Sequence, residues 1–309
     1  MHEHFLLKNL EDDLVKKNVK CACKELRRWQ FFEGALQHLE LLFWAFKNGN
    51  GNINITVTRL ALPVILKNLF NKNKTLIVWH YFDPKDGKKP GLKIYYRLLI
   101  FLLKFFGENK VGLIVVAEFW KNYFTIELGI KNVMLFPNFF EIKNYTSYKS
   151  DKKLNLVHLG QYSFKNDPEI YQLAKKLSKI GFECYFSTND KTLVNKTEYY
   201  QIEYFEKFED YLLKMSLSKY TLAMSFINEG WNRIAMESLL VGTQVIGYNK
   251  GGLGELLLGA NALIAENADE VFQLIEAGES KPIYYPFLEK FDLANSPNFI
   301  QLISKFLIH

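Results

Sequence analysis

The stretch Ser225–Leu256, SFINEGWNRIAMESLLVGTQVIGYNKGGLGEL, decides how the rest of the chain is read. It begins at a strand end (Tyr220–Phe226) and passes a tight Asn-Glu-Gly turn into a helix. A second short strand (Gln244–Tyr248) and a Gly-Gly turn that opens another helix follow. The first amides of a helix lack intrahelical partners, and the macrodipole adds partial positive charge there. A helix beginning just after Gly230 is therefore suited to an anion. Arg233, in the first turn, adds a planar donor fork suited to phosphate. Glu229 and Glu237 stand on either side of these donors, about two turns apart on a similar face. Such a constellation suits a diphosphate whose attached groups carry hydroxyls in need of acceptors. A structural Glu pair in an ordinary βαβ unit would have the same spacing.

The length of 309 residues and a hydrophobic fraction of 49% allow about two domains with real cores. Strand-like runs alternate with helical ones. Ile53–Arg59, Thr75–Phe82, Leu113–Phe119 and Asn132–Phe139 read as strands, separated by helices at Leu62–Leu69, 92–106 and Trp120–Leu128. Before them come a helical pattern at 5–18, a short strand at Val19–Cys23 and an aromatic helix at Phe31–Phe46. Polar residues 142–153 suit a linker. Strands at Leu154–Gly160, Phe182–Ser187 and Tyr199–Tyr204 then alternate with helices at Asp167–Ile180 and Phe205–Ser218. This order predicts an α/β chain with mostly parallel sheets, divided into 1–146 and 147–309.

The ordered set Glu229-Gly230, Glu237, Leu239-x-x-Gly242-x-x-Val245-Ile246, Gly251-Gly252 and Glu255 resembles the donor-site signature of retaining GT-B glycosyltransferases of family 4. The segment Val115–Glu141, VVAEFWKNYFTIELGIKNVMLFPNFFE, is similar to the end of that family's N-terminal domain, with Pro137 and Asn138 as its Pro-Asn pair. The resemblance is strongest over about 113–265 and weak before residue 75. It implies the GT-B fold, two Rossmann-like domains facing across a cleft, with the closing segment Phe287–Leu307 returning to the first. It also implies metal-independent transfer of a sugar from a nucleotide-diphosphate donor, with retention and with no cofactor.

By the same resemblance, Glu229 meets the donor sugar, Glu237 the ribose hydroxyls, and His80 the sugar from across the cleft. Glu229 and His80 are thus the expected catalytic residues, and Gly160, Lys165, Gly230, Trp231, Asn232, Arg233, Glu237, Gly251 and Gly252 are expected to bind the donor. The sequence departs from the family at Gln161, which stands where the family places an arginine, and Arg233 is expected to substitute for that charge. It also opens directly in what reads as a helix, without the family's first strand and Gly-rich loop. A non-catalytic nucleotide-sugar-binding subunit and a GT-B-fold epimerase are the alternative readings.

Residues 1–150 carry 23 Lys and Arg against 13 Asp and Glu, a net +10, whereas 151–309 carry a net −4. A lysine-rich background explains this asymmetry, and so does an anionic partner for the first half: lipid headgroups, a phosphate-bearing acceptor or nucleic acid. No motif for stacking bases or binding zinc is visible, so nucleic acid is not an expected partner. The expected acceptor is a glycan, a lipid-linked molecule or a protein. Tyr95–Phe106, where Arg97 and Lys104 interrupt aromatics, is expected to support peripheral membrane contact. Cys21, Cys23 and Cys184 show no CxxC spacing, and the N-terminus has no signal-peptide pattern. Both features predict a cytoplasmic protein, with docking on the inner membrane face as a further expectation.

Overall fold

The computed structural model describes residues 53–58, 61–69, 73–79, 90–106, 110–163 and 166–297. The elements expected at 5–18, 19–23 and 31–46 lie outside these residues. Two sheets organise the described chain. The first contains β1 (Ile53–Val57), β2 (Lys74–Trp79), β3 (Val111–Val115) and β4 (Val133–Leu135), all parallel and in sequential order. Helices α1 (Ala61–Leu69) and α2 (Pro90–Phe106) make the first two crossovers. The run VGLIV of β3 is buried at every position, as expected of a parallel strand covered on both faces. Trp79, at the end of β2, is fully buried against Phe124 (4.8 Å between ring centroids) and Tyr96 (5.5 Å).

Several boundaries differ from the sequence reading. β3 stops at Val115, and α3 (Glu118–Asn122) starts where the strand was expected to continue to Phe119. The helix expected at 120–128 becomes α3 plus a π-helical turn, Tyr123–Glu127. Burial of Trp120, Tyr123 and Phe124 overrides the simple helical period here. Within the polar linker, Lys143–Thr146 forms one helical turn, α4, which buries Tyr145.

The second sheet has the order β11-β10-β9-β5-β6-β8-β7. Its strands are β5 (Leu154–Gln161), β6 (Glu183–Thr188), β7 (Asn195–Lys196), β8 (Gln201–Tyr204), β9 (Ser218–Ala223), β10 (Gln244–Tyr248) and β11 (Leu263–Ala265). All pairings are parallel except that of β7 with β8. Helices α5 (Ile170–Lys179), α6 (Phe208–Leu217), α7 (Arg233–Leu240), α8 (Gly251–Gly259) and α9 (Ala268–Glu276) connect them. On α5, the buried residues Ile170, Leu173, Ala174 and Leu177 recur at helical spacing, and Lys176 and Lys179 sit in the last turn, where the helix dipole favours cations.

A single hydrophobic cluster runs through both halves, from Trp79, Trp120 and Phe124 to Met236, Leu253 and Leu257. After the short helix α10 (Tyr285–Leu288), the chain returns to the first half. Phe140 N–H donates to the Phe291 carbonyl (2.8 Å), and Leu293 N–H donates to that of Phe140 (2.8 Å).

His158 lies in the centre of the second sheet. It is fully buried, stacked on Tyr185 at 4.7 Å, with Nε2 at 3.1 Å from Ser187 Oγ. Burial, helped by the Lys214 charge, pushes its imidazole down from 6.5 to about 3. The unfolded chain therefore gains this proton near pH 6.5 and the folded chain only near 3. Stability present above 6.5 is lost as the pH falls through that interval. The unfolding free energy of His158→Gln, read from urea titrations, should fall less steeply than wild type between pH 6.5 and 5, by up to about 1.4 kcal/mol per pH unit. An unchanged slope would show that the native imidazole is already protonated there.

Candidate functional site

The second sheet reverses its strand order between β5 and β9, since the chain runs outward through β6 and β8 and then returns beside β5. Loops leaving two such strands diverge, and the crevice between them is where ligands bind in open α/β sheets. Gly160, at the end of β5, has φ +85°, and a Cβ there would meet the Leu222 carbonyl at 3.2 Å, so the position requires glycine. The two loops are tied at their base. Asp167 N–H donates to the Met224 carbonyl (2.9 Å), Asn166 bridges Ser225, and Asn166 Nδ2 donates to the Gln161 carbonyl (2.8 Å). Ser225 thus leaves the sheet that was expected to run to Phe226, because its backbone pairs with the neighbouring loop.

Helix α7 begins on this crevice side. Asn232 caps it, Oδ1 accepting from Ala235 N–H (2.9 Å), while its Nδ2 donates to Glu229 Oε2 (2.9 Å). One asparagine therefore ends the turn and orients the Glu229 carboxylate at the helix start. Glu237 is 3% exposed. Its Oε1 accepts from Arg233 Nε (2.5 Å) and its Oε2 from Tyr211 OH (3.3 Å). Burial pushes its carboxyl above the ordinary range, against the opposing pull of Arg233 and Tyr211. The Arg233 side chain is 46% exposed, lies 6.0 Å from the Phe208 ring and interacts with Tyr145.

The Gly-Gly turn is shaped by the protein's own backbone. The Glu229 carbonyl accepts from Gly252 N–H (2.8 Å) and from Trp120 Nε1 (3.0 Å). Gly251 has φ +57°, and a Cβ on Gly252 would collide with the Gly230 carbonyl. Close backbone approach within the protein is thus one reason for these glycines. Glu255 Oε2 accepts from Phe119 N–H (3.0 Å), so a carboxylate of the second half caps α3 of the first. Trp231 turns away from the crevice into the core, 4.6 Å from Phe291, and its Nε1–H has no hydrogen-bond partner among the described residues.

The fold thus gathers Glu229, Gly230, Asn232, Arg233, Glu237, Gly251 and Gly252 around one turn, with Gly160 on the neighbouring strand end. His80 and Lys165 lie outside the described residues. Tyr145, Tyr211 and Trp120 are partners that spacing did not disclose, since each comes from a distant segment. Beside Arg233 opens a cavity of about 650 Å³, lined by Tyr145, Tyr148, Phe208 and Glu209 among others. That volume suits a small-molecule ligand. Among the described residues, no group of three His, Cys, Asp or Glu side chains is placed to hold a metal.

No protein-family model matches the chain, and no curated protein matches it in sequence. Solved structures do match its fold. Sucrose-phosphate synthase from Thermosynechococcus elongatus superposes with a TM-score of 0.68 at 13% identity, covering 92% of this chain and 81% of that one. Anabaena HepE in complex with UDP-glucose gives 0.66 at 12% identity, covering 97% and 89%. A glycosyltransferase from Rickettsia africae gives 0.60 at 16% identity, covering 97% and 86%. The chain has the GT-B fold expected from its sequence.

Gly252→Ala should force the 229–230 turn away from α8 and lower stability by about 2–4 kcal/mol, read from chemical denaturation. Trp120→Phe, which removes the indole donor to Glu229 and leaves a small cavity where the larger ring packed, should cost about 1–3 kcal/mol. Wild-type stability of Trp120→Phe would show that its bond to Glu229 does not hold the two halves together, and wild-type stability of Gly252→Ala that the 229–230 turn yields freely.

Proposed function

We propose that this GT-B chain transfers a glycosyl group from a nucleotide-diphosphate sugar to an acceptor hydroxyl, with retention of configuration and without a metal. The observation that carries the reading is the start of α7. Helix amides, Arg233 and the Asn232-oriented Glu229 carboxylate converge there on the crevice side of the switch point. In this reading the diphosphate lies at that helix start, with Lys165 from the β5 loop as a second cation. The Gly160 strand end and the Gly251-Gly252 turn frame it. The sugar sits between Glu229 and His80.

Glu237 belongs to the same reading. Arg233 and Tyr211 take one acceptor position on each oxygen, and a carboxylate offers about four, so a ribose hydroxyl remains a feasible further donor. The cavity beside Arg233, with Phe208 and Tyr145 in its wall, is the volume available to the nucleoside.

In the transfer step the bond from the anomeric carbon to the diphosphate oxygen breaks. A bond to the acceptor oxygen forms on the same face, and the acceptor proton passes to the departing phosphate. The chain's contribution is positioning and stabilisation of the charge that develops on the leaving group. HepE was solved with UDP-glucose, which makes that sugar nucleotide the first probe here.

In thermal-shift measurements against UDP-, ADP- and GDP-sugars, one of them at about 100 times its Kd should add about 2.7 kcal/mol of stability, with the free sugar inert. Glu229→Gln should keep that shift while slowing acceptor-independent release of nucleoside diphosphate on the order of 100-fold. A panel in which no nucleotide sugar moves the melting point would remove the reading. Conversion of the sugar nucleotide to an epimer, with no acceptor present, would replace it with epimerisation.

A further inference from the structure

Helix α2 is apolar on two faces. One face, carrying Tyr96, Leu99 and Leu103, is buried in the core of the first half. The other carries Ile94, Leu98, Phe101 and Phe105, which are 66%, 42%, 59% and 70% exposed. At 3.6 residues per turn these four fall within about 60° of one another around the axis. They therefore form one continuous stripe, along which Phe101 and Phe105 stack at 6.0 Å. Exposed apolar residues scattered singly need no explanation, but four aligned over three turns do.

The cations of this helix are arranged to match. Lys93, Arg97 and Lys104 lie along one edge, about 70–110° from the middle of the stripe, and the 17-residue helix contains no acidic residue. Arg97 and Lys104 are exposed and Lys93 is half-buried. An apolar stripe bordered by a row of cations fits a surface that is apolar inside and anionic at its rim. Only one face is free, and no helix among the described residues is long and apolar enough to cross a membrane, so this helix would lie on a bilayer.

We propose that the outward face of α2 docks on a bilayer containing anionic lipid, with the helix axis in the membrane plane. Ile94, Leu98, Phe101 and Phe105 enter the headgroup–acyl boundary, while Arg97 and Lys104 meet the phosphates. Charge selects this occupant, because the same helix of a second copy, packed stripe to stripe, would bring the same cations and no acidic residue to pair with them. The proposal goes beyond the transfer chemistry and does not require it.

The test is co-sedimentation of the full chain with vesicles of phosphatidylcholine, with and without phosphatidylglycerol and in the absence of any sugar nucleotide. Binding should be at least about tenfold tighter to the mixed vesicles and should weaken with added salt. The double substitution Phe101→Ser, Phe105→Ser should reduce binding to the mixed vesicles at least about tenfold. Arg97→Glu with Lys104→Glu should bring it down to the level seen with phosphatidylcholine alone. These positions are on the surface, and circular dichroism and melting curves should match wild type. The proposal fails if the chain ignores both vesicle types, if the two types bind equally, or if the serine variant binds like wild type. It also fails if sedimentation velocity without lipid shows a dimer that the serine variant abolishes, for the stripe would then be a contact between copies.

Discussion

The backbone carbonyl of Glu229 is one of the points at which the two halves of this molecule meet, and the one nearest the candidate site. It accepts from Gly252 N–H of the same half and from the Trp120 indole of the other. Beside it, Glu255 caps α3 across the same boundary. The Trp120 bond is part-buried beside the cluster that includes Trp120, Phe124, Leu253 and Leu257, where an unpaired polar group would be costly, whereas the Glu255 bond is exposed. The turn 229–232 is therefore tied to the first half through the Trp120 indole. Its geometry is a property of the interface as much as of its own residues.

The same turn carries a polar system in which each member restrains the next. Asn232 spends its carbonyl oxygen on the helix cap and its amide on Glu229. Glu237 is divided between Arg233 and Tyr211, so the cation nearest the helix start is held by a buried carboxylate rather than left to wander. Removing one partner from such a pair leaves a buried charge uncompensated. The arrangement aims Arg233 toward the open cavity with little rotamer freedom left to lose on binding an anion.

Much of the second half was legible in the sequence because its strands and helices satisfy local rules. The strand Gln244–Tyr248 and the helix opening at Gly251 fall where the pattern places them. The alternation of strand and helix led to two mostly parallel sheets, and the gathering of Glu229, Gly230, Asn232, Arg233 and Glu237 follows from their closeness on one turn and one helix. Less was legible around 113–128. There a strand ends early and a helix changes to a π-turn, because three aromatic side chains must all reach a core shared with the other half. No periodicity within that window contains this information.

The sequence by itself determined the architecture and the neighbourhood of the site, since spacing along one helix and the demand for glycine at strand ends are local constraints. Only the tertiary structure decided what those residues do with their atoms. It gave Glu237 to Arg233 and Tyr211, turned Trp231 into the core and explained Gly252 by its approach to Gly230. It also left the second apolar face of α2 in the open. The partners come from segments tens of residues apart, and a side chain's hydrogen bonds are set by what packing brings within about 3 Å of it.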